Sequence, residues 1–377
     1  MTDIHEFDDI RPFIPEELPE TYNRLLNDGR FNGVIQSIYK DIPKEQVYTM
    51  IRSCKTSQEF QKRIIYPILQ DILKKASHGL TADFSNISGN GYTFVSNHRD
   101  IVLDSALLDV VLFDHGLDSV EIAIGDNLLV YPWIKDLVRI NRSFIVQRAL
   151  TMRQMLLASA KMSRYMHYVI AEKGSNLWIA QREGRAKDSN DRTQDSVLKM
   201  IAMGKSGSVI DSLKEMNIVP LAISYEFDPC DYLKAEEFQN KRDIEGFKKS
   251  KQDDLDNMKT GIFGFKGHIH YHAAPCINDW LDTIDPETPK TEIFKMVAEH
   301  IDHEIHSHYR IYPGNRAAMA LLHGTNDATE EEIAQFEAYI QKKLQYITSQ
   351  NADREYLRER MLTMYANPAI NHRQAIQ

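Results

Sequence analysis

Cysteine is scarce in this chain: Cys54, Cys230 and Cys276 are the three present, far apart and odd in number. That spacing supports neither a disulfide framework nor a paired-cysteine metal knuckle, and it fits a reducing, cytoplasmic setting. Long apolar runs are missing too. No stretch approaches the roughly 18 residues a bilayer crossing needs, so any membrane contact is expected to be peripheral, at the inner face. Basic charge is not in excess. Lys and Arg number 45 against 54 Asp and Glu, a net charge of −9. A nucleic-acid partner is therefore not expected, and any anion site must be a local patch. The opening residues, Met1-Thr2-Asp3-Ile4-His5-Glu6, are acidic and do not read as a secretory leader. Internal repeats and low-complexity segments are absent.

What remains is ordinary globular composition over 377 residues, 42% of them hydrophobic. Residues 1–85 read as a helical N-terminal region, with Val47, Met50, Ile51, Phe60, Ile64, Ile68 and Ile72 at helical spacing. After the turn-rich Gly89-Asn90-Gly91, short apolar runs alternate with amphipathic stretches. Strands are expected at Tyr92–Ser96, Val120–Gly125, Ser143–Gln147, Leu177–Arg182, Ile218–Tyr225 and Gly267–Ala273. Helices are expected near Asp104–Phe113, Thr151–Val169, Asp195–Met203 and Val209–Met216. This alternation predicts an α/β domain over 86–312: a largely parallel, mixed sheet covered by helices, with function on the loops at one edge. Residues 313–377 read as a helical C-terminal extension. The charged segment Asp231–Lys259 reads as a solvated helix or lid insertion.

Four segments carry candidate chemistry. Asn97-His98-Arg99-Asp100 follows the first strand, with Asp104 at the start of a helix. An imidazole near its ordinary pKa can take a proton from an alcohol, and a carboxylate on its other nitrogen fixes the tautomer. Either Asp104 or Asp100 could be that carboxylate. Second, Arg139, Arg142 and Arg148 bracket the strand Ser143–Gln147, and guanidinium groups match phosphate bidentately. Third, Glu183-Gly184-Arg185-Ala186-Lys187 ends a strand with an acid, a glycine that permits a sharp turn, and two cations. Fourth, Pro220 lies near the start of a strand, where it could shape a groove wall.

In this order the four segments resemble the phospholipid/glycerol acyltransferase family across about 90–275. His98, Arg148, Glu183, Gly184 and Pro220 match that family's motif residues by type and order. Two departures stand out. The acid falls six residues after His98 rather than five, and the Glu-Gly-Arg block is one residue shorter than the family's, which leaves Arg185 without a fixed counterpart. The resemblance implies transfer of a fatty acyl group from acyl-coenzyme A or acyl carrier protein to a hydroxyl of glycerol 3-phosphate or 1-acylglycerol 3-phosphate. It implies His98 as general base, with Asp104 and Glu183 beside it in the catalytic set. Arg99, Arg139, Arg142, Arg148, Gly184, Arg185, Lys187 and Pro220 would bind the substrate, with no cofactor beyond the acyl donor. Two alternatives stay open: an acceptor without phosphate, and a scaffold that keeps the fold without the activity.

His268, His270 and His272 alternate along a strand and so share a face. Without an acidic or cysteine partner evident nearby in sequence, the row is not expected to hold a metal.

Overall fold

The computed structural model describes residues 2–148 and 151–377. The described strands are β1 (Gly79–Asp83), β2 (Thr93–Ser96), β3 (Val120–Gly125), β4 (Ser143–Val146), β5 (Asn176–Ala180), β6 (Ile218–Tyr225) and β7 (His268–Ala273). They form one sheet in the order β1-β7-β6-β2-β5-β3-β4, parallel throughout except for the β6–β7 pair. The expected α/β class is what the chain adopts, and β2 sits at the centre of the sheet.

Alternation along the strands splits the core in two. Val95, Leu177, Ile179, Ile218 and Ala222 face helices Met152–His167, Asp195–Ile201 and Lys290–Ser307. Phe94, Trp178, Val219, Leu221 and Ile223 face helix Leu103–Asp114. Because successive strand side chains point to opposite faces, a strand buried on both sides is apolar at nearly every position. β6 is buried at all eight.

Three expectations need correction. Strand β1 lies within the segment assigned to N-terminal helices, yet it pairs in parallel with β7 from Gly79↔His268 to Asp83↔His272. It is an edge strand that buries none of its five residues, so no apolar signal announces it. The N-terminal region is thus built into the sheet: the Ile145 amide also donates to the Ile10 carbonyl at 2.9 Å. Second, the charged insertion is two helices, Asp231–Asp243 and Lys251–Phe263, and is not solvated throughout. Asp231, Lys234, Glu237, Gln239 and Asn257 are buried. Third, the C-terminal extension, read from 313 with a last helix expected over Arg354–Tyr365, has that helix running on to Ile376, with Pro368 inside it. It packs with Pro313–His323 and Glu330–Leu344 around Leu357, Met361 and Phe336. Among the described residues no helix is long and apolar enough to cross a membrane.

Candidate functional site

Strand β2 ends at Ser96, and the next residue pins the loop that follows. Asn97 is fully buried; its Oδ1 accepts from the Ile223 amide at 2.8 Å and its Nδ2 donates to the Ile223 carbonyl at 2.9 Å. The carboxamide thus stands in for a ladder pair with β6, so the chain leaves the sheet at a fixed point. Lys234, also buried, donates to the Arg99 carbonyl at 3.3 Å from the other side.

His98 follows, with Nδ1 2.7 Å from Asp104 Oδ2. The same carboxylate oxygen accepts from the amides of Arg99 at 2.6 Å and Asp100 at 3.0 Å. Asp104 is 0% exposed, in the first turn of helix Leu103–Asp114. Three donors converging on one oxygen wrap the loop around the acid and fix it against the imidazole. Asp100 does not compete for His98: its Oδ1 accepts from Val102 and Leu103 at 2.9 and 2.8 Å and closes the turn that leads into the same helix. The extra residue before the acid is absorbed in the turn at Ile101–Val102.

A carboxylate can only accept, so Nδ1 carries the proton and Nε2 holds the lone pair. The ring meets the edge of Trp178 at 5.6 Å between centroids, and Trp178 Nε1 donates to Ser96 Oγ at 3.0 Å. The imidazole is thus oriented by an acid and an aromatic wall while its side chain keeps 13% exposure. Such a pair can take a proton from a hydroxyl brought to Nε2.

Arg148 and Glu183 meet at this edge of the sheet, Nη1 to Oε1 3.4 Å, beyond the ends of β4 and β5. Arg148 lies over Gly125: an added Cβ there would come within 2.8 Å of its Nε and 2.6 Å of Asn127 Oδ1. Gly184 takes φ +68°, the left-handed turn expected of it. Arg185 reaches Asn257 at 3.4 Å on helix Lys251–Phe263, whose Gly261 is seated against the Asp100 carboxylate. The insertion therefore packs directly on the His98 loop.

The other candidate cations are engaged elsewhere. Because β4 runs parallel to β3, β5 and β2, residues that precede it lie at the opposite edge from His98. Arg142 donates there to the Ser119 carbonyl and Oγ at 2.8 and 2.9 Å and to Ser175 Oγ at 3.1 Å. Arg139 donates to the Arg11 and Asp8 carbonyls and covers Phe13. Both are structural ties, not parts of a phosphate cradle. Arg99 is at the right edge but 7% exposed, with Nη2 2.7 Å from Asp191 Oδ2 and its guanidinium 5.6 Å from the Tyr309 ring. Lys187 is spent on Glu237, and burial pulls its pKa down to about 8. Pro220 is buried within β6 opposite Val95, so it walls no groove; its carbonyl accepts from Ala274 at 2.9 Å.

Asn97, Trp178, Asp191 and Tyr309 are the supporting residues that sequence reasoning missed. Asn97 alone had a usable signal, a carboxamide directly after a buried strand. Asp191 and Tyr309 reach Arg99 only through the fold, with the Tyr309 hydroxyl donating to Asp191 at 2.5 Å. Hollows of about 510, 310 and 620 Å³ mark the surface, and His98 lines none of the three.

His306 lies behind this pair, 5% exposed, its Nε2 donating to the Asp191 carbonyl at 3.0 Å and Arg192 beside the ring. Burial first, then the Arg192 charge, lowers its pKa to about 4. Unfolded, a histidine titrates near about 6.5, so the unfolded chain binds this proton more readily. The contribution to stability is complete above about pH 6.5 and is lost as pH falls toward about 4. Urea unfolding of His306→Gln at about pH 7 and about pH 4.5 should show the acid loss of stability reduced by about 1–3 kcal/mol. An unchanged loss would contradict the assignment.

No protein-family model matches the chain, and no curated protein matches it.

Proposed function

We propose that the chain is an O-acyltransferase that moves a fatty acyl group from acyl-coenzyme A or acyl carrier protein to a hydroxyl of a glycerol phosphate acceptor. The observation that carries this reading is the His98–Asp104 pair at 2.7 Å, at the carboxyl edge of a parallel strand. In the proposed reaction His98 Nε2 takes the hydroxyl proton as the oxygen attacks the thioester carbonyl. The carbon–sulfur bond breaks, the imidazolium returns the proton to the departing thiolate, and ester and thiol leave. Asp104 stabilises the imidazolium between those steps, and no acyl-enzyme is needed. Arg148, beside Glu183, and Arg185 are the expected cations at the same edge that would hold the acceptor's phosphate.

The engagement of Arg99, Arg139 and Arg142 favours a second reading, an acyl acceptor without phosphate. A panel of glycerol 3-phosphate, 1-acylglycerol 3-phosphate and a monoacylglycerol separates the two. Gly125→Ala provides the structural counterpart, since the new Cβ must displace the Arg148 guanidinium. It is expected to raise KM for phosphate acceptors about tenfold, the loss of one charge-assisted contact, with kcat little changed. Equal KM for all acceptors in the variant would favour the phosphate-free reading.

Peripheral contact with an anionic lipid surface is part of the proposal. The first two turns of helix Met152–His167 expose Met152, Met155, Leu156 and Leu157 at 89, 49, 61 and 63%, with Arg153 among them. A protruding apolar helix end flanked by a cation suits insertion into headgroups. Co-sedimentation with phosphatidylglycerol vesicles that survives Leu156→Asp plus Leu157→Asp would contradict this part.

A further inference from the structure

The histidine row of β7 divides in the fold. His270 meets Thr81 Oγ1 at 2.8 Å, and His272 stacks on His308 with Asp83 3.6 Å from its Nδ1. His268, at the start of the strand, has different company. His78 just before β1 and Glu226 just after β6 converge on it, and one donor atom from each of the three lies within 4.8 Å of the other two. The His78 and His268 rings are 5.0 Å apart between centroids, and His78 Nδ1 is 3.9 Å from Glu226 Oε2. The acidic partner that the sequence pattern lacked is thus supplied from a neighbouring strand.

The backbone fixes this arrangement. The His268 amide donates to Glu226 Oε2 at 2.8 Å, the Glu226 amide to the His268 carbonyl at 2.9 Å, and the His78 amide to the Gly267 carbonyl at 2.8 Å. Gly267 holds φ +62°, and a Cβ there would come within 2.4 Å of the Glu226 carboxylate. Glycine is what lets the acid approach so closely. Tyr312 backs the group, its ring parallel to His268 at 6.4 Å, with its hydroxyl buried and without a hydrogen-bond partner.

We propose that His78, Glu226 and His268 bind a divalent transition-metal ion of the zinc class, clipping together the ends of β1, β6 and β7. Two imidazoles and one carboxylate are a donor set that borderline ions accept, whereas calcium and magnesium favour all-oxygen sites. Ligand bonds of about 2.0–2.1 Å place tetrahedral neighbours about 3.3 Å apart. Both imidazoles are exposed and can close the remaining gap by side-chain rotation. Three protein ligands leave the fourth position to water. The edge strand β1, which buries no side chain, would then be secured by an ion as well as by its ladder with β7.

The test is titration of the tag-free full-length chain, stripped with a chelator, with zinc sulfate by calorimetry, and with cobalt(II) by visible absorption. One equivalent is expected to bind, with a tetrahedral cobalt spectrum and a raised thermal midpoint. His78→Ala and His268→Ala, both surface changes, should each weaken zinc by about 10–100-fold and abolish the thermal shift, while His270→Ala leaves both unchanged. No binding, binding retained in both variants, or equal loss in His270→Ala would overturn the site. The readout is metal binding and not turnover, so its outcome is independent of the acyl-transfer proposal.

Discussion

Replacing His98 with alanine is expected to lower kcat for acyl transfer by about 10²–10⁴-fold, the usual worth of a general base. Acceptor KM should change little, because Arg148 and Arg185 lie on other loops. The fold should survive, since among the described residues the imidazole's one polar partner is Asp104, which keeps its two amide donors. Asp104→Asn should fall in the same direction: its carbonyl oxygen would take the place the Arg99 and Asp100 amides hold, keeping the Nδ1 proton, but the negative charge that stabilises the imidazolium would be gone. Steady-state kinetics beside a thermal melt separates lost chemistry from lost structure. Activity within about threefold of native in His98→Ala would remove the dyad from the mechanism.

The second large effect is on stability. Arg99→Met is expected to destabilise the chain by about 3–5 kcal/mol, because it leaves Asp191 buried without its partner. Asp191 is 0% exposed, and its Oδ1 already lacks a hydrogen bond. Burial also raises the Asp191 pKa, a shift that Arg99 opposes. Removing the guanidinium therefore favours a protonated acid, and the variant should lose less stability at acidic pH than at neutral pH. Urea unfolding at two pH values reads this directly. A loss under about 1 kcal/mol together with a raised KM for phosphate would return Arg99 to the substrate-binding set.

The contrast between those two neighbours shows what a sequence can carry. His98 and its acid were legible because both lie within one loop and helix start, where spacing and chemistry are local. The strands β3 and β6 were legible end to end, because mainly apolar runs bounded by polar turns leave little choice of limits. Strand β1 was not, since Gly79–Asp83 is held by backbone pairing at the edge and buries nothing. The arginines failed for another reason. Their charge suggests an anion site, but which edge of the sheet they reach is set by strand direction, and whether they are free is set by distant residues. Arg142 is answered by Ser119 and Ser175, Arg99 by Asp191 and Tyr309. The His78–Glu226–His268 cluster repeats the lesson in reverse, because Glu226 and His78 join His268 only through the register of β6, β7 and β1.

The most direct test of the acyl-transfer proposal is product formation by the purified full-length chain from acyl-coenzyme A and from acyl carrier protein. Glycerol 3-phosphate, 1-acylglycerol 3-phosphate and a monoacylglycerol are offered in turn, beside His98→Ala. The account predicts ester and free thiol in equal amounts with at least one pair, and their disappearance in the variant. No ester from any pair, or ester undiminished without His98, would contradict it.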